Sequence, residues 1–134
     1  MKYKILIIFF FILSCVENYD KLENKIPYNS KGFAYIYKES DFEANIIKKK
    51  LDNNKIQIAH NKLRANTLIK IINVKTGDNI ILKNEKKITY PDFYKVLITK
   101  PVAELININA KLPLVEIIEI KKNKSFIAKK TKIY

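Results

Sequence analysis

One histidine and one cysteine bound the chemistry open to this chain. His60 is the lone imidazole and Cys15 the lone thiol, which excludes the usual zinc sets built from several such ligands. No phosphate-cradling loop or dinucleotide fingerprint is present either, so neither a metal nor a cofactor is expected. The candidates that remain are carboxylates, aromatic side chains and His60. His60 stands just before an apolar hairpin and the pair Asn84-Glu85 just after it, with Tyr90, Asp92, Phe93 and Tyr94 in the segment beyond. A carboxylic acid exchanges protons usefully near neutral pH only when burial or a nearby negative charge raises its pKa. Glu85 instead has Lys83, Lys86 and Lys87 around it in sequence, and cations within about 6 Å would lower it. A solvated, ion-paired Glu85 is the plain reading of that neighbourhood.

The elements that must position these residues are legible as short strands. Thr67–Asn73 and Asn79–Lys83 are rich in Ile and Leu and flank a turn at Thr76-Gly77-Asp78, a hairpin signature. Gly32–Tyr37 alternates well enough for a first strand, Ile56–Ala59 leads into His60, and Phe93–Ile98 and Leu114–Ile120 read as further strands. Ser125–Ala128 reads as a last edge strand, and Asn84–Asp92 as a polar loop. Ser40 and Glu43 have capping-box spacing, which predicts a helix to about Lys50 with Phe42, Ile46 and Ile47 on one apolar stripe. Thr99-Lys100-Pro101 predicts a second short helix through Ile106, with proline in the first turn.

Composition sets the class. At 48% hydrophobic residues, the chain has ample material for a core, and 134 residues suit one domain with a leader. The formal charge is +13, nearly all of it lysine, since Arg64 is the sole arginine. Scattered lysines of this kind read as a solvated surface, and no nucleic-acid partner is expected. With two glycines in the chain, tight turns must lean on Asn and Asp.

The N-terminus has the layout of a secretory signal: a basic start, nine apolar residues from Ile5 to Leu13, then Ser14-Cys15. That run is well short of the about 20 residues a spanning helix needs. Ile12-Leu13-Ser14-Cys15 resembles a bacterial lipobox, in which the cysteine thiol takes a diacylglycerol and becomes the first mature residue. The expected organisation is a signal peptide at 1–14, a polar tether at 15–31 beginning with lipidated Cys15, a domain at 32–122 and a basic tail at 123–134. By analogy with bacterial sorting, Val16 after the cysteine favours the outer membrane, with the domain facing the periplasm.

Ala59, His60, Leu63, Thr67, Asn73, Gly77 and Asn84 follow the spacing A-A-H-x-x-L-P-x-G-T, strand, N-x-x-x-G, strand, N-D. Gly32, Ala34 and Tyr37 likewise follow G-x-A-S-W-Y-G. In these motifs the chain resembles the rare lipoprotein A family, septal-ring lytic transglycosylases of peptidoglycan, over Gly32 to about Ile120. The resemblance implies a mainly β fold, a six-stranded double-psi β-barrel with two short helices. It implies peptidoglycan glycan strands as partner, with a membrane reached through the N-terminal lipid, and a monomer. It places Glu85 at the catalytic acid, where the family has aspartate, and His60 as its assistant. Asn84, Tyr90, Asp92 and Tyr94 become the expected substrate contacts, with the rings of Tyr90, Phe93 and Tyr94 as sugar-stacking faces. Two other acidic positions of the family fall on Leu97 and near Lys49. Three outcomes follow: a barrel that binds glycan without cutting it, a working transglycosylase using Glu85 or Asp92, or a lipoprotein whose lysines meet anionic surfaces.

Overall fold

A computed structural model describes residues 25–121. Six strands alternate with two short helices: β1 (Asn29–Ile36), α1 (Glu39–Glu43), β2 (Ile58–His60), β3 (Leu68–Asn73), β4 (Asn79–Lys87), β5 (Tyr94–Ile98), α2 (Lys100–Leu105) and β6 (Leu114–Ile120). They close into a barrel in the order β1-β5-β2-β4-β3-β6. β1–β5 and β2–β4 pair in parallel and the other four seams are antiparallel. That order is unchanged when β1, β2 and β3 are exchanged with β4, β5 and β6. Two interlocked three-strand units related in this way make a double-psi barrel, and closure leaves no open sheet edge.

Alternation along the strands sorts the apolar residues into two clusters. Ala34, Ile58, Ile69, Ile71, Ile80, Leu82, Val96, Ile98, Val115 and Ile117 fill the lumen, plugged at one end by Val102, Ala103 and Ile106 of α2 and its exit. Tyr37, Ile47, Leu51, Ala59, Ile88, Tyr90 and Leu97 form a second cluster outside the barrel wall. Each large side chain so buried stabilises by about 1.5–3 kcal/mol.

The hairpin, β5, α2 and β6 lie where the residue pattern puts them. Gly77 turns the hairpin with φ +80°, and Asn66 takes φ 65°, a conformation asparagine tolerates where glycine would be the default. Three elements differ from expectation. β1 begins at Asn29, paired with Ile118 of β6, so residues 29–31 of the expected tether are strand. The helix after Ser40 ends at Glu43, because Asn45 takes φ 57° and turns the chain out of the helix; Lys38 is the N-cap and no side chain caps it. Consequently Ile47 is buried while Ile46 stays exposed. The expected polar loop at 84–87 is instead the second half of β4, paired in parallel with β2. The signal segment 1–14, Cys15, the strand at Ser125–Ala128 and the basic tail at 123–134 lie outside the described residues.

Candidate functional site

β2 and β4 bring His60 and Asn84 together in the interior. Both side chains are fully buried. Asn84 Oδ1 accepts the backbone N–H of His60 at 2.9 Å, and its Nδ2 donates to the carbonyls of Leu63 and Arg64 at 2.9 and 3.0 Å. Its backbone closes the same knot: Asn66 N–H donates to Asn84 O, and Asn84 N–H to Thr67 O, both at 2.8 Å. Asn84 thus fastens the whole 60–67 loop to β4 and has no polar atom left to offer a ligand. That is a structural role, where a substrate contact was expected.

His60 is equally committed. Its Nδ1 accepts the backbone N–H groups of Lys62 and Leu63, each at 3.1 Å, so the neutral ring carries its proton on Nε2. Nε2 is buried without a partner, and Tyr28 packs edge-on at 4.8 Å between centroids. Burial, reinforced by Lys62, pushes the imidazole down to about 4 from its ordinary 6.5, against a weaker pull from Glu119. A ring this dry and this reluctant to protonate is a packing element.

Glu85 points the other way. It is exposed, and β2 and β4 slip register beside it: Ile58 faces Asn84, Ala59 faces Lys86, and Glu85 is the extra residue of the bulge. It makes no ion pair among the described residues, so the expected salt bridge with a flanking lysine does not form. Neighbours on β4 at adjacent pleats, Asn84 and Glu85 stand on opposite sides of the wall. His60 and Glu85 therefore share no cavity, and no acid–base pair is assembled from them. Asp92 is an exposed side chain ahead of β5. Tyr90 is buried in the outer cluster, where its hydroxyl donates to Lys95 O at 3.1 Å and accepts from Asn61 N–H at 3.3 Å.

Tyr94 and Phe93, both expected as sugar-stacking rings, line an open cleft. It measures about 530 Å³ and is bounded by β1, the start of β5, Asp41 of α1 and the turn at 110–113. Phe33 and Tyr35 reach it from alternate positions of β1, and Phe93 and Tyr94 from β5. The β1–β5 seam positions them. Phe33 faces Tyr94, Ala34 faces Val96, and Lys95 bulges between. Gly32 has no side chain to obstruct Lys95: a Cβ there would lie 2.6 Å from Lys95 Cγ.

The rings form a continuous surface. Phe33 and Phe93 stack at 5.2 Å and 13°, Phe93 meets Tyr94 edge-on at 5.2 Å, and Tyr94 meets Tyr35 edge-on at 4.6 Å. Phe93 remains 64% exposed, a large apolar face turned to water. Beside it, burial and then the neighbouring Asp41 carboxylate push the Tyr35 hydroxyl up to about 12, so Tyr35 is a proton donor throughout the physiological range. Lys38 and Lys111 complete the rim. Phe33, Tyr35 and Asp41 were not singled out from sequence. Their signal was the Phe33/Tyr35 alternation on β1, which reads equally well as ordinary strand packing.

No group of His, Cys, Asp and Glu suited to a metal ion occurs among the described residues. The chain matches no model of a known protein family and no curated protein.

Proposed function

We propose that this barrel is the glycan-binding domain of a lipid-anchored envelope protein, and that it holds peptidoglycan glycan strands without cutting them. The carrying observation is the stacked Phe33–Phe93 pair with Phe93 turned outward, beside Tyr94, Tyr35 and Asp41. Flat aromatic faces take the apolar C–H face of a pyranose ring, while a hydroxyl donor and a carboxylate acceptor at the edge take its hydroxyls. Support for the peptidoglycan polymer comes from the resemblance to the rare lipoprotein A motifs, and support for the anchor from the lipobox-like Ser14-Cys15; both are fold-level and motif-level analogies.

Support for binding without cleavage comes from the position of the expected acid, Glu85; the carboxylate in the cleft, Asp41, stands against the Tyr35 hydroxyl. Cleavage of a glycosidic bond needs a carboxylic acid over the scissile oxygen. Glu85 is solvated on the far side of β4 from His60, and neither residue lines the cleft. The test is co-sedimentation of the mature domain with purified sacculi and with glycan strands stripped of peptide, alongside assay for anhydro-muramic products. Retention on both substrates, loss of retention in Phe93→Ala and no product are expected. Product that vanishes in Glu85→Gln would overturn the non-catalytic reading; retention on neither substrate would overturn glycan binding.

A further inference from the structure

The first turn of α1 stands between two openings. Lys38 and Asp41 line the aromatic cleft, while Glu39 between them lines a separate depression of about 510 Å³. Lys50, Asp52, Asn53 and Gln57 from the segment before β2, with Lys86 from β4, build its walls. Its size falls within the roughly 300–1,000 Å³ of ligand pockets. The depression is preformed. Asn53 Nδ2 donates to Tyr37 O at 3.1 Å, and Asn53 Oδ1 accepts Lys100 N–H at 3.2 Å. Gln57 Oε1 accepts Asp52 N–H at 3.0 Å, and Asp52 Oδ1 accepts Asn54 N–H at 2.9 Å. These bonds fix the 51–57 segment to the residue after β1, to the start of α2 and to itself.

The charges in the depression are mixed. Lys50 is held by Glu39, and Asp52 meets Lys55 at 3.7 Å in an exposed, weak pair. Lys86 is half-buried and makes no ion pair among the described residues. A partly desolvated ammonium without a counter-ion favours a ligand carboxylate. A phosphate dianion placed there would also meet the carboxylates of Glu39 and Asp52, which repel it. A ligand that carries both a carboxylate and an ammonium satisfies both signs.

We propose that this depression takes the peptide stem of the glycan strand whose sugars lie on the aromatic rings, a short peptide bearing carboxylate and ammonium groups. The inference rests on the glycan reading and adds a second point of attachment to it. A stem leaving a sugar in the cleft has only α1 to cross. A helix is about 10–12 Å thick with its side chains, and four extended residues reach up to about 14 Å. The stem carboxylate then meets Lys86, and its ammonium lies toward Asp52 and Glu39.

All six strands and both apolar clusters fall within residues 29–120, so a chain starting at Val16 holds the complete fold without leader or lipid. Calorimetry on that chain compares a disaccharide–tetrapeptide released from sacculi, the same disaccharide without peptide, and the free peptide. The peptide-bearing disaccharide should bind about fivefold tighter than the bare one. Lys86→Gln should bring the two within about twofold, Lys86→Arg should keep the gain, and Asp52→Asn should reduce it. Lys87→Gln removes the same charge from the exposed neighbour and should leave the gain intact. Phe93→Ala should weaken both disaccharides alike. Equal affinities with and without peptide, both lost in Phe93→Ala, would overturn the inference and leave the glycan reading standing. A gain that survives Lys86→Gln would overturn it too. Free-peptide affinity that depends on Lys86, with no dependence of either disaccharide on Phe93, would overturn the glycan reading and keep the depression as a peptide site.

Discussion

Asn84 Oδ1 receives the backbone N–H of His60 at 2.9 Å, across the parallel seam between β4 and β2. The contact joins residues on either side of the β3–β4 hairpin. One amide side chain satisfies three backbone groups of the 60–67 loop, the buried N–H of His60 and the part-buried carbonyls of Leu63 and Arg64.

Asn84→Ala should therefore be among the most damaging single changes. It leaves an N–H and two carbonyls without partners in or near the interior, each costing about 1–3 kcal/mol. A loss on the order of 3–4 kcal/mol is expected in urea denaturation at neutral pH. Asn84→Asp should also destabilise, because it keeps the acceptor for His60, loses both donations and buries a charge. A loss under about 1 kcal/mol for either variant would refute the clamp.

His60 gives the fold an acid-sensitive point. Its folded-state value of about 4 lies below the ordinary 6.5, so the unfolded chain binds a proton more readily. Stability from this group is complete above about pH 6.5, declines as pH falls, and is lost once pH passes below about 4. The decline should be on the order of 2–3 kcal/mol. Comparing denaturation midpoints at a series of pH values checks it; His60→Gln, which removes the titrating group, should flatten this part of the profile. An unchanged profile in that variant would assign the acid sensitivity to other groups.

Much of the barrel was legible because its strands are short apolar runs punctuated by Asn, Asp and Gly. The hairpin around Gly77, β5, and α2 with Pro101 in its first turn needed no tertiary information. What escaped is what depends on the partner strand. Asn84-Glu85-Lys86-Lys87 has loop composition, and only pairing with β2 through a bulge makes it strand. The helix from Glu39 stops at Glu43 because Asn45 adopts a left-handed conformation, open to asparagine but not demanded by it. Phe93 and Tyr94 were legible as candidate stacking rings, but the β1 half of the cleft was not, for a stronger reason. Phe33 and Phe93 stack only because β1 and β5 run side by side in one particular register, which no local pattern encodes.

Thr99 shows a helix start used for another purpose. Its buried hydroxyl donates to Lys55 O at 2.7 Å and accepts Gln57 N–H at 3.1 Å, tying the loop before β2 to the end of β5 in place of capping α2. Thr99→Val keeps the shape and strands both groups, so a loss of about 2–3 kcal/mol is expected by thermal or urea unfolding. Thr99→Ser keeps both bonds and should cost under about 1 kcal/mol. A larger loss for Thr99→Ser than for Thr99→Val would show that the methyl packing, and not the hydroxyl, matters.

Tyr35 and Asp41 should prove coupled in the cleft. Burial is the larger reason that the Tyr35 hydroxyl sits at about 12, and the Asp41 carboxylate adds to it. Removing the charge in Asp41→Asn should lower the Tyr35 value part of the way toward its ordinary 10, read as an earlier ultraviolet phenolate transition assigned by difference from Tyr35→Phe. An unmoved transition would detach Asp41 from Tyr35.

Glu85 supplies the sharpest contrast with Asn84, its neighbour in the chain. An exposed residue at a strand bulge, without an ion pair among the described residues, has little to lose on substitution. Glu85→Gln and Glu85→Ala should each change stability by no more than about 0.5 kcal/mol. Retention on sacculi should be equally unaffected, because the aromatic cleft is bounded by β1, β5 and α1 and not by β4. The paired measurement on adjacent positions is decisive for the architecture. If Glu85 lay in a site of its own, substituting it would alter glycan handling while leaving stability intact; if it is surface, both readouts stay at the parent value while Asn84→Ala collapses the fold.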